Sequence, residues 1–162
     1  MISEYWMWAT WLTKVFLYLS VAFVVGGFFC YVLLRQYLVI KESLLKYITI
    51  GAGLGLISST LGFFILNGSF ANSGLIVIWD LTYLNILINT PTGQIQIIRS
   101  IIFALLIIIM LVKLSRRKME VSITESTIFI ILLTPILFSF SQLGHVANLP
   151  FFAQILLSVH VL

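Results

Sequence analysis

Charge is scarce in this chain: nine Lys+Arg and five Asp+Glu leave only 9 % of 162 residues charged, with a net charge of +4. Soluble domains carry near 25 % charged and 45–50 % apolar residues, whereas here 61 % are hydrophobic. A small domain leaves a large share of its area wet, so a water-soluble enzyme, a nucleic-acid-binding domain and a disordered chain are all excluded. Cysteine is nearly absent. Cys30 alone permits neither an internal disulfide nor a multi-cysteine metal cluster. The chain also lacks a Walker A lysine loop, an H-E-x-x-H pair and a G-x-S-x-G elbow. Without a nucleotide site it is not an ATP-driven pump, and it reads as a non-enzyme. The composition is that of an all-α integral membrane protein.

A spanning helix needs roughly 20 predominantly apolar residues. Four stretches qualify, at about 11–34, 47–66, 94–114 and 127–144, in one transmembrane domain covering 1–162. Residues 150–162 read as the start of a fifth helix, incomplete because 13 residues reach only about 20 Å of a roughly 30 Å core. Residues 74–89 are apolar enough for a helix but carry Asp80 and stop before Thr90-Pro91. Two placements fit that segment, along the outer surface or dipping back into the membrane as a re-entrant element. The N-terminus has Glu4 as its leading charge and no small-residue cleavage site, so it reads as a retained anchor and not as a signal peptide.

Basic residues fall on alternate connections. Arg35, Lys41 and Lys46 follow the first span, and Lys113, Arg116, Arg117 and Lys118 follow the third. The second and fourth connections have neither Lys nor Arg. The positive-inside rule then places the N-terminus outside, with Trp6, Trp8 and Trp11 as an outer aromatic belt.

Polar groups at membrane depth are costly and often functional, and few are present. His145 closes the fourth span on a helical face with Thr134, Phe138 and Ser141, Gln142 lying beside them. Such neighbours fix the imidazole tautomer that metal binding requires; an interfacial anchor is the competing reading. His160 lies ten residues beyond Pro150, where it reads as a metal ligand or as an interhelical hydrogen-bonding group. In an antiparallel hairpin the two imidazoles are offset by roughly 10 Å, so they suit two successive metal sites better than one closed site. The offset also weighs against one haem held by both. Arg99 shares a face with Gln96; it either pairs with Asp80 or snorkels to the headgroups. Gly51-x-x-x-Gly55 reads as a close-packing surface for which Gly26-Gly27 is a candidate partner.

Together, Thr90-x-x-Gly93 with Arg99, Ser141-x-x-Gly144-His145, His160, and Lys14…Tyr18…Gly26-Gly27-Phe28-Phe29 make a pattern that resembles the copper-resistance protein D (CopD) family of bacterial inner membranes. The resemblance is to the N-terminal half of its members. Where that family often has an acidic residue about a turn before the second histidine, Leu157 and Ser158 stand here. The resemblance implies copper movement across the inner membrane, with copper bound or transported and no organic cofactor. Partners implied are the bilayer, a periplasmic CopC-type copper-binding protein, and a second copy or the missing C-terminal half; nucleic acid is not among them. On this reading His145 is an outer copper acceptor and His160 a deeper one. Ser141 and Gln142 support them, and Arg99 and Asp80 are structural or gating charges. The alternative is a haem-binding electron-transfer subunit using one of the histidines as an axial ligand.

Overall fold

The computed structural model describes residues 4–34, 36–71, 78–116 and 122–141. Among them are five α-helices and no strand: α1 (Glu4–Leu33), α2 (Leu38–Ala71), α3 (Leu81–Ile88), α4 (Pro91–Ser115) and α5 (Ile123–Ser141). Four of these (all but α3) are long and apolar enough to cross a membrane. The helices start ahead of the expected spans, α2 at Leu38 and not 47, α1 at Glu4 and not 11. Backbone hydrogen bonding carries a helix past the hydrocarbon into the interface, while composition marks only its apolar middle. The expected 74–89 segment is helical over Leu81–Ile88, about 12 Å at 1.5 Å per residue and too short to span; residues 72–77 are outside the described ones. So is the expected fifth helix at 150–162.

The chain divides into two compact units, residues 1–120 and 121–162. In the first, α2 is the central helix and packs against both α1 and α4. A Cβ placed on Gly51 would lie 2.7 Å from Phe23 Cβ of α1, one on Gly68 would run into the Trp6 ring, and one on Gly55 into the Phe103 ring of α4. Gly27 of α1 lies against Ile48 and Tyr47 of α2, while Gly26 faces open space. The two glycines of the Gly51-x-x-x-Gly55 pair therefore serve different neighbours. As the α1 partner moves from Trp6 to Val24 to Gly27, the α2 partner falls from Gly68 to Gly51 to Ile48, so the pair is antiparallel. Gly55 with Phe103 and Gly62 with Gln96 set α4 antiparallel to α2 as well. Lys113 Nζ sits 5.2 Å above the Tyr31 ring, bringing the last turns of the parallel helices α1 and α4 together. Trp8 and Trp11 face outward, but Trp6 is a core residue at 2 % exposure, because the gap left by Gly68 admits its ring.

Short-range polar contacts shape the corner ahead of α4. Asp80 caps α3, its Oδ1 accepting from the Thr82 N–H at 2.8 Å. Asn67 at the end of α2 donates through Nδ2 to the Ile78 carbonyl at 3.0 Å, and Phe64 meets Trp79 with ring centres 4.8 Å apart. Thr90 caps α4: its hydroxyl accepts from the Gly93 N–H at 3.1 Å and donates to the Leu87 carbonyl at 2.7 Å. Pro91 follows in the first turn, where its missing N–H costs nothing. Gly93 lies directly against the Leu87 carbonyl, which gives Thr90-x-x-Gly93 a structural meaning as a helix-to-helix corner.

These contacts separate the glycines by cost. A methyl on Gly93 meets backbone that cannot yield, whereas Gly53 has nothing within 4 Å. Gly93→Ala is expected to destabilise by roughly 1–3 kcal/mol, the range for overpacking. Gly53→Ala should be neutral or stabilising by up to about 1 kcal/mol. Thermal unfolding midpoints of the detergent-solubilised variants check the difference.

Candidate functional site

Helix α5 leads toward the first candidate histidine. Glu125 accepts from the Ser122 N–H at its start, and its buried face is Phe129, Leu133, Ile136 and Ser139, spaced as one side of a helix. Pro135 sits within it and removes the backbone bond to Ile131. The Thr134 hydroxyl donates to the Ile130 carbonyl at 2.9 Å. Thr134 is exposed and lies across from the buried face; the buried polar side chain of this helix is Ser139, which donates to the Ile136 carbonyl. Ser141 is the final helical residue, its side chain outside the description. Gln142, His145 and His160 lie outside the described residues.

Arg99 is described in full. It belongs to the buried stripe of α4 that runs through Gly93, Arg99, Ile102, Phe103, Leu106, Met110 and Lys113. At 1 % exposure and about 12 Å along the axis from Pro91, it is turned inward instead of reaching along the helix to the surface. The Tyr18 phenol of α1 is an electrostatic neighbour. Thr60 of α2 and Ser100 of α4 have hydroxyls 3.4 Å apart. Ser59 Oγ and Gln96 Oε1 are buried with no hydrogen-bond partner among the described residues. Asp80 stands apart from this group: its carboxylate caps α3, and no Asp80–Arg99 ion pair occurs among the described residues.

The chemistry of this interior is that of a cation among hydroxyls and an amide. A guanidinium has donors and no lone pair to give, and hydroxyl and amide oxygens suit hard cations better than copper. The Arg99 neighbourhood is therefore not a copper centre. Among the described residues no group of three His, Cys, Asp or Glu side chains comes close enough to share a metal.

Residues 1–150 match a family model described as copper resistance protein D-like, N-terminal domain. The chain belongs to this family. No curated protein and no solved structure matches it. The matched region contains His145 together with Thr90, Gly93, Arg99 and Ser141, while His160 lies beyond it. Copper resistance in a multi-pass membrane protein is thus the setting for these side chains.

Sequence reasoning passed over Ser20, Ser59, Asn67 and Ser139, all buried. A signal was present for one of them, since Ser58-Ser59-Thr60 interrupts an apolar run. Nothing in the sequence separates the inward Ser139 from the neighbouring serine two residues on.

With Asp80 committed to its cap, Asp80→Ala should cost about 1 kcal/mol as a lost helix cap. Its effect should add to that of Arg99→Ala within about 0.5 kcal/mol, as expected of uncoupled sites. A double-mutant cycle on thermal stability measures this; a larger coupling energy would establish the pair.

Proposed function

We propose that the protein takes part in copper import across the bacterial inner membrane, contributing to copper tolerance or homeostasis. The observation that carries this reading is the family match, which spans His145 and the whole of α1 to α5. Copper is the cargo. His145, just past the end of α5, is the outer acceptor, and His160 is a deeper one. Ser141 and Gln142 hold the first imidazole in its tautomer. Imidazole ligates copper in either redox state, and a site with few ligands releases its ion more readily than a closed tetrahedral one.

The same reading places the N-terminus, α3 and His145 on the periplasmic side. Its support is the sequence grouping of Arg35, Lys41 and Lys46 after the first span and of Lys113, Arg116, Arg117 and Lys118 after the third, as the positive-inside rule requires. A periplasmic CopC-type protein would deliver the ion there. A second copy of the chain or a C-terminal half would complete the route inward. Arg99, buried between the entry end and the middle of α4, keeps cations away from the α1–α2–α4 interior by its charge and so favours passage elsewhere.

In cells grown at limiting copper, His145→Ala is expected to lower copper accumulation severalfold with protein abundance unchanged. Metal analysis of whole cells beside an immunoblot reads both quantities. Unchanged accumulation would remove His145 from the route, and a Soret band in the absorption spectrum of the purified protein would replace copper with haem.

A further inference from the structure

A serine hydroxyl inside a helix can spend its hydrogen bond on a carbonyl of the preceding turn. Ser58 donates to the Leu54 carbonyl at 2.7 Å, Ser20 to the Leu17 carbonyl at 2.7 Å and Ser100 to the Gln96 carbonyl at 3.0 Å. Ser59 of α2 departs from this habit. It is 0 % exposed, and its Oγ has no hydrogen-bond partner among the described residues. On α4 the Gln96 Oε1 is buried in the same condition. A polar atom shut away from solvent and left unbonded is costly, so two such atoms on facing helices call for a common explanation.

Helix register brings them to one level. Gly55, Ser59 and Gly62 share a face of α2. A Cβ on Gly55 would run into the Phe103 ring, and one on Gly62 would lie 3.2 Å from Gln96 Nε2 and 3.8 Å from its Oε1. That face therefore looks onto α4. Ser59 stands between its two contacts, as Arg99 stands between Gln96 and Phe103. Side chains three apart on a helix have Cβ atoms about 5–6 Å from one another. The Ser59 Cβ is thus about that far from the point of α2 on which the Gln96 amide rests. One bridging molecule, making two hydrogen bonds of about 2.8 Å, covers a gap of this size.

The chemistry of the layer selects the molecule. The Gln96 Oε1 only accepts hydrogen bonds, so a simple anion, itself an acceptor, leaves it unserved. The buried Arg99 guanidinium at this level repels a cation. Water both donates and accepts, and Gly55, Ser59 and Gly62 put nothing larger than a hydroxymethyl group on this stretch of α2. We propose that a buried water bridges Ser59 Oγ of α2 and Gln96 Oε1 of α4, donating to the amide oxygen and sharing a hydrogen bond with the hydroxyl. Waters held inside proteins serve otherwise unbonded polar groups in this way. The bridge ties α2 to α4 beside the Thr60–Ser100 hydroxyl pair, and it is independent of the copper reading.

The test follows the purified full chain in neutral detergent by two measurements. If one water serves both groups, removing either group leaves the other poorly served, whereas removing both leaves nothing unbonded. Ser59→Ala and Gln96→Leu are each expected to lower the thermal midpoint by about 3 °C, and the double variant by about the same amount instead of twice as much. In the second measurement, X-ray pulses turn bound water into hydroxyl radicals that oxidise the side chains beside it. Phe103, packed one turn of α2 before Ser59 and 0 % exposed, is expected to be oxidised in the wild type and severalfold less in the double variant. Additive losses of stability, or equal oxidation of Phe103 in both proteins, would overturn the proposal. A midpoint that rises with chloride at constant ionic strength in the wild type and not in Ser59→Ala would put an anion in the layer and equally defeat it. If the double variant does not fold, Ser59→Ala alone carries the oxidation comparison, where a lower rate is expected and an unchanged one removes the bridge.

Discussion

Lipid tails are as apolar as leucine, so helices in a bilayer gain little from hiding hydrocarbon and are held by close contact instead. In this protein that contact is concentrated on α2. Its glycines at 51, 55, 62 and 68 let Phe23, Phe103, Gln96 and Trp6 come near the backbone, on one side from α1 and on the other from α4. A glycine within a helix costs about 1 kcal/mol relative to alanine in water. Here that cost is offset by contacts that no larger residue would permit. The antiparallel order of α1, α2 and α4 and the depth of each polar side chain follow from these meeting points.

The interior made this way is polar in its upper half and cationic at its lower end. Arg99, Ser59 and Gln96 belong to the first region, with Tyr18 and the Thr60–Ser100 hydroxyl pair toward its exposed edge, and Lys41, Lys113 and Tyr31 belong to the second. Neither region offers the soft donors that copper favours. The family to which the chain belongs is defined by copper resistance, and the side chains suited to that ion are the imidazoles beyond α5. The first unit thus contributes packing and charge, and the proposed copper acceptors, His145 and His160, follow α5 in the sequence.

Much of the fold was legible in the amino-acid order. Long apolar runs mark spanning helices because every backbone group in lipid must be bonded within its own segment, and the four long helices lie where those runs are. The ends were less legible, since hydrogen bonding continues the helix after the apolar signal stops. Facing was harder still. An apolar helix is greasy on every side, so periodicity says little about which side chains look inward. Trp6 read as a belt residue beside Trp8 and Trp11, and only Gly68, far away in sequence, gives it a place inside. Arg99 was recognisable as a charge at depth, but its inward direction depends on the turn between α3 and α4, whereas Asp80 is engaged locally at the start of α3 by the Thr82 N–H. Of the candidate copper site, the family pattern around His145 was readable, whereas Ser139 depends on contacts that sequence spacing does not encode.

The corner at Thr90 links these scales. One hydroxyl, donating to the Leu87 carbonyl of α3 and accepting from the Gly93 N–H of α4, ties the two helix ends together across a two-residue joint. Each added residue would swing α4 about its axis by about 100° and carry Arg99 round toward the lipid. The direction in which a guanidinium deep in the bundle looks is therefore governed from its rim, by the length of a joint that touches it nowhere.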